Sequence, residues 1–187
     1  MKERSTSNRF TSEEWTALGG LCGVFFLRML GLFMILPVLS PYAKSLPGST
    51  PILIGLAMGA FPLTQTIFQI PFGWFSDRVG RKPVLVAGLI LFAAGSIWAW
   101  QARTIWELIG ALALQGSGAV ASVIIAFVAD CSREQVRTRA MALVGGAVGI
   151  AFGGGFVLGP LIAGAWDASL IFLVIALLSL LAVGVVV

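Results

Sequence analysis

Charged residues divide this chain into long apolar segments. Five segments contain no Asp, Glu, Lys or Arg: Ile52–Phe75, Pro83–Trp100, Leu108–Ala129, Ala140–Trp166 and Ala168–Val187. A sixth, Ala17–Leu39, contains a single charge, Arg28. A helix needs about 20 apolar residues to cross a hydrocarbon core of roughly 30 Å. Membrane β-barrels use shorter strands in which polar and apolar residues alternate. Helices and closed barrels are the two structures that satisfy the backbone hydrogen bonds in lipid. The pattern predicts an all-α membrane protein with six transmembrane helices.

Polar and helix-breaking residues set the boundaries of the predicted elements. Thr11 or Ser12, followed by Glu14, is typical of a capped helix start. We predict a cytoplasmic N-terminal tail over residues 1–14 and a six-helix bundle over residues 15–187. The predicted spans lie near residues 15–40, 51–75, 83–101, 105–130, 139–165 and 168–187.

Glycines four residues apart occur in both the second and the fifth span. Gly55 and Gly59 form the first pair, and Gly155 and Gly159 form the second. Such spacing is common wherever membrane helices approach closely. We interpret the two pairs as counterparts in a 3+3 repeat of helices.

Composition excludes a soluble domain. Of 187 residues, 58% are hydrophobic and 11% are charged, whereas soluble domains carry about 25% charged residues. The excess of positive charge follows the predicted topology, so it does not indicate a nucleic-acid partner.

The sequence offers little for catalysis or cofactor binding. It contains no His, and it shows no ATP-binding loop, metal-ligand cluster or nucleophile–base pair. Cys22 and Cys131 are expected near the reducing cytoplasmic side, so no disulfide is predicted. We predict neither an enzyme nor a bound cofactor.

Lys and Arg predict the orientation, because cytoplasmic loops are enriched in them. The opposite side carries only Lys44 and Arg103. Both termini are therefore expected in the cytoplasm of a bacterium, with the chain in its inner membrane. The positive residues assigned to the cytoplasmic side are Lys2, Arg4, Arg9, Arg78, Arg81, Lys82, Arg133, Arg137 and Arg139.

The turn between the second and third spans carries the most specific motif. The segment Gly73–Lys82 fits G-x-x-x-D-R-x-G-R-[RK], and its fixed positions are Gly73, Asp77, Arg78, Gly80, Arg81 and Lys82. Gly73 is expected to allow close helix approach, and Gly80 a tight turn. In spacing and position the segment resembles the signature of the major facilitator superfamily. The resemblance implies a gate in which Asp77 meets helix ends of a second half.

Two further stretches are similar to elements of this family. Gly155, Gly159, Pro160 and Gly164 fit G-x-x-x-G-P-x-x-G, the signature of drug–proton antiporters. The resemblance implies a hinge that packs the fifth span against the missing half; a generic close-packed helix is the alternative.

The end of the fourth span carries a second charged element. Asp130, followed by Arg137 and Arg139, resembles an element found after the fourth helix of many members. It implies that Asp130 forms a charge cluster with Arg81 or Arg78; solvated loop charges are the alternative.

Arg28 is the only charge inside a predicted span. An Arg near mid-membrane costs at least about 2.5 kcal/mol on insertion scales, so we expect it to face the central cavity and to attract a carboxylate or an anionic substrate. Snorkelling to the interface is the alternative. Its surroundings, R-x-x-G-x-F-x-x-x-P-V-L, resemble the first helix of YajR-like transporters.

The fourth span departs from the family pattern R-x-x-Q-G-x-G. Leu112 stands where the pattern has an Arg that is usually linked to proton coupling. Gln65, Gln69 and Gln115 are the other candidates for the cavity lining. Hydrogen bonding between helices is an equally good interpretation of the three amides.

The resemblance implies the N-terminal half of a secondary active transporter. It would move a small molecule by alternating access between two six-helix bundles, with efflux coupled to protons. Its partners would be the lipid bilayer, the substrate, protons, and a C-terminal six-helix half or a second copy of the chain. The last span ends without a positive anchor, which we interpret as a truncation. A homodimeric half-transporter and a non-transporting scaffold or sensor are the alternatives.

Overall fold

The computed structural model describes residues 10–186 of the chain, and seven α-helices account for most of them. They are α1 (Ser12–Ser45), α2 (Pro51–Val79), α3 (Arg81–Trp100), α4 (Ile105–Ser117), α5 (Ala121–Cys131), α6 (Glu134–Ala165) and α7 (Leu170–Val186). Positions 1–9 of the predicted tail, with Lys2, Arg4 and Arg9, lie outside the described residues.

Side-chain caps fix where the helices start. Thr11 accepts a hydrogen bond from the backbone N–H of Glu14 at 3.3 Å, and the Glu14 carboxylate accepts one from the N–H of Thr11 at 2.8 Å. This is the capping box that the sequence predicts. Thr50 and Thr104 cap α2 and α4 through their hydroxyls. Gly80 joins α2 to α3 with a φ of 105°, so this one-residue turn requires glycine.

The fourth predicted span is two helices rather than one. α4 ends at Ser117 and α5 begins at Ala121, and within the break the N–H of Val120 bonds to the carbonyl of Gly118. A Cβ on Gly118 would overlap the carbonyl of Gly88 in α3. The break therefore lies where α3 and the fourth span approach at backbone distance, a contact that hydropathy does not reveal.

Most of the helices are long enough to cross a bilayer. By length and composition α1, α2, α3, α6 and the α4–α5 pair all qualify, and α7 is a shorter apolar helix of 17 residues. α1, α2 and α6 extend several residues beyond the predicted spans, because charged and polar end residues continue the helix past the apolar segment.

The contacts between helices follow a 3+3 repeat. α1 packs most extensively on α6 and α2 on α4, and these two contacts interchange when the first three spans are exchanged with the last three. The α3–α4 and α1–α7 contacts interchange in the same way, and α3–α7 maps onto itself. The predicted 3+3 bundle is confirmed by this arrangement.

Glycine permits the closest of these contacts. A Cβ on Gly155 would lie 2.7 Å from Cβ of Phe33, and one on Gly159 would overlap the carbonyl of Met34. α6 therefore approaches α1 at backbone distance, as expected for small residues four apart. The segment expected to pack on a second half instead packs on α1 at these two glycines, so that prediction is wrong for them.

The matching contact between α2 and α4 uses a glycine of the other helix. A Cβ on Gly116 of α4 would overlap the carbonyl of Phe61 in α2. At Gly55 and Gly59, by contrast, a Cβ would have no neighbouring atom within 4 Å. The expected correspondence of the two glycine pairs is therefore wrong, although the helix pairs themselves correspond.

An ion pair closes one end of the bundle. The Glu14 carboxylate accepts hydrogen bonds from Nε of Arg133 at 2.8 Å and from its backbone N–H at 3.3 Å. The Glu14 bond raises the pKa of the Arg133 guanidinium above its ordinary value. The contact joins the start of α1 to the turn between α5 and α6. The first turn of α1 and the α5–α6 turn therefore lie at the same end of the bundle.

We predict that Gly159→Ala destabilises the bundle while Gly153→Ala does not. The new methyl at position 159 collides with the backbone of α1, whereas Gly153, on the same helix, has open space around it. Overpacking of this kind costs about 1–3 kcal/mol. Thermal unfolding in detergent is the measurement. Equal melting temperatures for the two variants would contradict the assigned α1–α6 contact.

We predict that Glu14→Gln loosens the first turn of α1 from the α5–α6 turn. The amide keeps the shape of the side chain but replaces a charged acceptor with a weaker neutral one. Hydrogen–deuterium exchange in both segments should rise. Glu134→Gln, at an exposed position in the first turn of α6, is the matched control and should leave exchange in α1 unchanged.

Candidate functional site

Arg81 is the centre of a charged cluster at the α2–α3 turn. Its Nη1 forms an ion pair with Oδ1 of Asp77 and donates to Oγ of Ser76 at 2.6 Å. Its Nε donates to Oδ2 of Asp130 at 2.8 Å. One guanidinium therefore ties the end of α2 and the start of α3 to the end of α5.

The predicted contact between Asp130 and the motif is made by Arg81. Arg78 instead stacks on the exposed ring of Trp74, with Cζ 3.8 Å from the ring centroid. Arg137 donates to the carbonyl of Ala129 at 3.4 Å. Lys82 and Arg139 are exposed.

The two motif glycines have different roles. Gly80 supplies the positive φ of the turn, as expected. A Cβ on Gly73 would meet its nearest atom, Oγ of Ser122, at 3.9 Å, which is ordinary van der Waals contact. The expectation that Gly73 permits a close helix approach is therefore wrong here.

The two acids of the cluster contact Arg81 although their side chains face solvent. The side chains of Asp77 and Asp130 are 63% and 56% exposed, so each pair alone contributes little to stability. Because both acids share one guanidinium, Arg81 connects the end of α5 to the end of α2.

Arg28 lies inside the bundle, not in the cavity. It is 1% exposed, and its Nη2 donates to the carbonyl of Gly118 at 3.2 Å, at the break between α4 and α5. Its Cζ lies 5.2 Å from the centroid of the Phe92 ring in α3. Neither Nε nor Nη1 has a hydrogen-bond partner among the described residues. The prediction that Arg28 faces the cavity is wrong, because the break supplies a carbonyl that draws it inward.

The three predicted glutamines do come together. A cavity of about 340 Å³ lies between α1, α2 and α4, and Gln65, Gln69 and Gln115 all line it. Leu112, which replaces the family's Arg, lines the same cavity. The remaining lining residues are Leu32, Ile35, Leu36, Leu39, Met58, Phe61, Pro62 and Thr66.

Gln115 is oriented by a chain of hydrogen bonds to α3. Its Nε2 donates to Oγ of Ser96 at 2.8 Å, and that hydroxyl donates to the carbonyl of Phe92 at 2.7 Å. Since the Ser96 proton is already used, Ser96 can only accept from Gln115. In this orientation of the amide, Oε1 is a buried acceptor without a partner among the described residues.

The last two residues of the antiporter-like stretch lie at the surface. Pro160 and Gly164 are exposed, and both line a depression between the ends of α1 and α6. The stretch is therefore divided between glycines that contact α1 and residues that face outward.

Two structural contacts were missed from the sequence. Arg133 was assigned only to the positive loop, and Ser96 was not singled out. The i, i+3 spacing of Thr11 and Glu14 signalled the cap, but nothing in the sequence indicates that Glu14 also reaches Arg133, 119 positions away. Ser96 sits in an apolar helix, where a lone serine carries no clear signal.

Comparison with known proteins agrees with this architecture. The human organic anion transporter MFSD10 superposes with a TM-score of 0.72 at 20% identity, over 94% of this chain and 47% of that chain. The POT family transporter PepTSo superposes with a TM-score of 0.80 at 14% identity, over 91% and 36%. At these identities the similarity concerns the fold alone.

Similarity in sequence is more specific. The inner membrane transport protein YajR of Escherichia coli K12 is 50% identical over 171 residues, 91% of this chain and 38% of that protein. The class E tetracycline resistance protein of Escherichia coli is 31% identical over 144 residues, 75% of this chain and 35% of that protein. The chain thus spans about two fifths of the length of these relatives. The family model described as Major Facilitator Superfamily matches residues 21–187, and the chain belongs to that superfamily.

Proposed function

We propose that this chain is the N-terminal half of a secondary active transporter that exports a small molecule in exchange for protons. The observation that carries the proposal is the cavity between α1, α2 and α4, together with the Arg81 cluster at one end of the bundle. A site between helices near the middle of the membrane fits alternating access, and ion pairs between elements that move are among the contacts that change in such transitions.

The exposed apolar faces of α2 and α6 support a second bundle as partner. Most of the large exposed hydrophobic residues lie on these two helices, among them Ile67, Ile70, Ile150 and Val157. α2 also lines the cavity, so a bundle docked along it would complete the cavity walls. A C-terminal six-helix half is the proposed partner, and a second copy of the chain is the alternative.

The direction of transport is proposed from relatives. The tetracycline resistance protein and the putative multidrug resistance protein MdtD of Klebsiella pneumoniae, which is 34% identical over 94 residues, carry names that refer to resistance. Export from the cytoplasm is the transport direction that such names favour.

Proton coupling is proposed with the acids at the end of the bundle. The apolar segments contain neither Asp nor Glu, so a carrier within this chain would be Asp77 or Asp130. The partner half is the other possible source of a carboxylate.

The orientation is proposed from the ends of the helices. Arg78, Arg81 and Lys82 share one end of the bundle with Arg133, because Arg81 contacts α5 and Glu14 contacts Arg133. The rule that positive residues face the cytoplasm then supports cytoplasmic termini in a bacterial inner membrane.

We predict that Asp77→Asn in the full-length protein lowers proton-driven flux with little effect on stability. The exposed acid stabilises the fold by less than about 1 kcal/mol. The same energy changes the ratio of two conformations about fivefold, and we expect flux to fall by about that factor. Flux into inverted vesicles and melting temperature are the measurements.

Asp167→Asn, at the opposite end of the bundle, is the matched control for Asp77→Asn and should keep its flux. Unchanged flux in the Asp77 variant, at normal expression, would contradict the proposed role of Asp77 in the conformational change. Absence of flux in the unsubstituted protein would instead support a non-transporting scaffold or sensor.

We predict that Arg28→Met leaves the fold as stable as before, or more stable, and yet reduces flux. Arg28 bonds to a backbone carbonyl and has two donors without partners among the described residues, so an apolar side chain of similar length removes the cost of burying this charge. Melting temperature and vesicle flux are measured together. If both fall in parallel, the Arg28 charge has only a structural role.

A further inference from the structure

We propose that the cavity between α1, α2 and α4 takes an uncharged amphipathic molecule, and that Gln115 is the specificity-determining residue that accepts a hydrogen bond from an N–H or O–H group of that molecule. The proposal rests on the proposed transport function and adds the chemical class of the substrate and the residue that selects it.

The first argument is the charge of the cavity wall. None of the residues that line the cavity is Asp, Glu, Lys or Arg; the polar ones are Gln65, Thr66, Gln69 and Gln115. An ion that left water for this wall would lose its hydration without gaining a counter-charge from this half. The buried positive charge of Arg28, which packs on α3 and the α4–α5 break, further disfavours a cation.

The second argument is the division of the cavity into two ends. Leu36, Leu39 and Met58 lie toward the α1–α2 turn, whereas Gln69 lies further along α2. Gln115, near the end of α4, borders the polar part. An amphipathic molecule fits this gradient with its apolar body beside the leucines and its polar group among the amides.

The third argument is the unpaired hydrogen-bond acceptor of Gln115. Gln115 is 1% exposed, its Nε2 is held by Ser96, and its Oε1 has no partner among the described residues. A buried acceptor without a donor is costly. The amide is held by α3 through Ser96, and Gln115 also lines the cavity, so the cavity is the side from which a ligand donor can approach this buried acceptor when the lining side chains adjust.

The remaining polar groups fit a donor on the ligand. The Thr66 hydroxyl donates to the carbonyl of Pro62 at 2.8 Å, so it offers an acceptor to the cavity. Gln65 and Gln69 can accept or donate, and they lie on the side of α2 that faces the cavity. The cavity wall therefore favours a ligand with a hydrogen-bond donor at Gln115. Beside Gln65 and Gln69 it accepts either a donor or an acceptor of the ligand.

The test compares four naphthalene derivatives on the full-length protein in nanodiscs. They are 2-naphthol, a neutral donor; 2-methoxynaphthalene, which lacks the donor; 2-naphthoate, an anion; and trimethyl(2-naphthyl)ammonium, a cation. We expect 2-naphthol to bind about tenfold more tightly than its methyl ether, the ratio that one hydrogen bond provides in a dry site, and both ions to bind more weakly than 2-naphthol. This comparison needs no variant.

Variants then assign the effect to Gln115. Gln115→Leu should reduce the ratio between 2-naphthol and its ether to about one, and Ser96→Ala should reduce it in part, because the amide can then rotate. Gln115→Glu retains an acceptor and adds a charge, so it should gain affinity for the cation. Gln101→Leu, in the α3–α4 turn and outside this cavity, is the matched control and should leave all four affinities unchanged.

Three results would overturn the proposal: equal binding of 2-naphthol and its ether, preference for either ion, or no binding of any probe. Vesicle transport of the same compounds separates this outcome from the fate of the transport function. A protein that exports other compounds but ignores these four keeps the transport function and loses the cavity assignment. Tight binding of 2-naphthol without flux of any compound would keep the cavity assignment and contradict the transport function.

Discussion

Close contact between helix backbones is the constraint on which this bundle depends. Burying apolar side chains drives no association in lipid, because lipid tails are as apolar as leucine; packing and hydrogen bonds between helices must supply the energy. The contacts of Gly155 and Gly159 with α1, and of Gly116 with α2, meet that demand. They set the distance between α1 and α6 and the distance between α2 and α4, and α1, α2 and α4 form the cavity.

The two charged features of the chain are placed by the same packing but serve different purposes. Arg81 lies at the end of the bundle, where its acids are in contact with water and the pairs can open at low cost. Arg28 lies where α3 meets the α4–α5 break, away from water. A change in helix position would alter the first set of contacts readily, whereas the second can change only if the core itself rearranges.

The sequence predicted what depends on composition and local spacing. Apolar run lengths predicted the spans, Thr11 and Glu14 predicted the cap, and the spacing of Gly73–Lys82 indicated the family. The resemblance around Asp130 implied a contact with Arg81 or Arg78, and Arg81 makes it. The sequence did not predict the break in the fourth span or the inward position of Arg28, since both depend on a backbone approach between α3 and α4. It also placed the close contact of α2 at Gly55 and Gly59, which is wrong. The position of a small residue in the sequence does not reveal which side of a helix faces a neighbour.

The break between α4 and α5 has a consequence for how the protein responds to pH. Aligned peptide dipoles give the carboxyl end of a helix a partial negative charge, and Arg28 contacts the capping residue of α4, Gly118. The partial negative charge of the backbone thus partly offsets the charge of the guanidinium. A carbonyl cannot take up a proton in the physiological range, as a carboxylate partner would. Arg28 therefore differs from Arg81, whose partners are carboxylates that can take up protons.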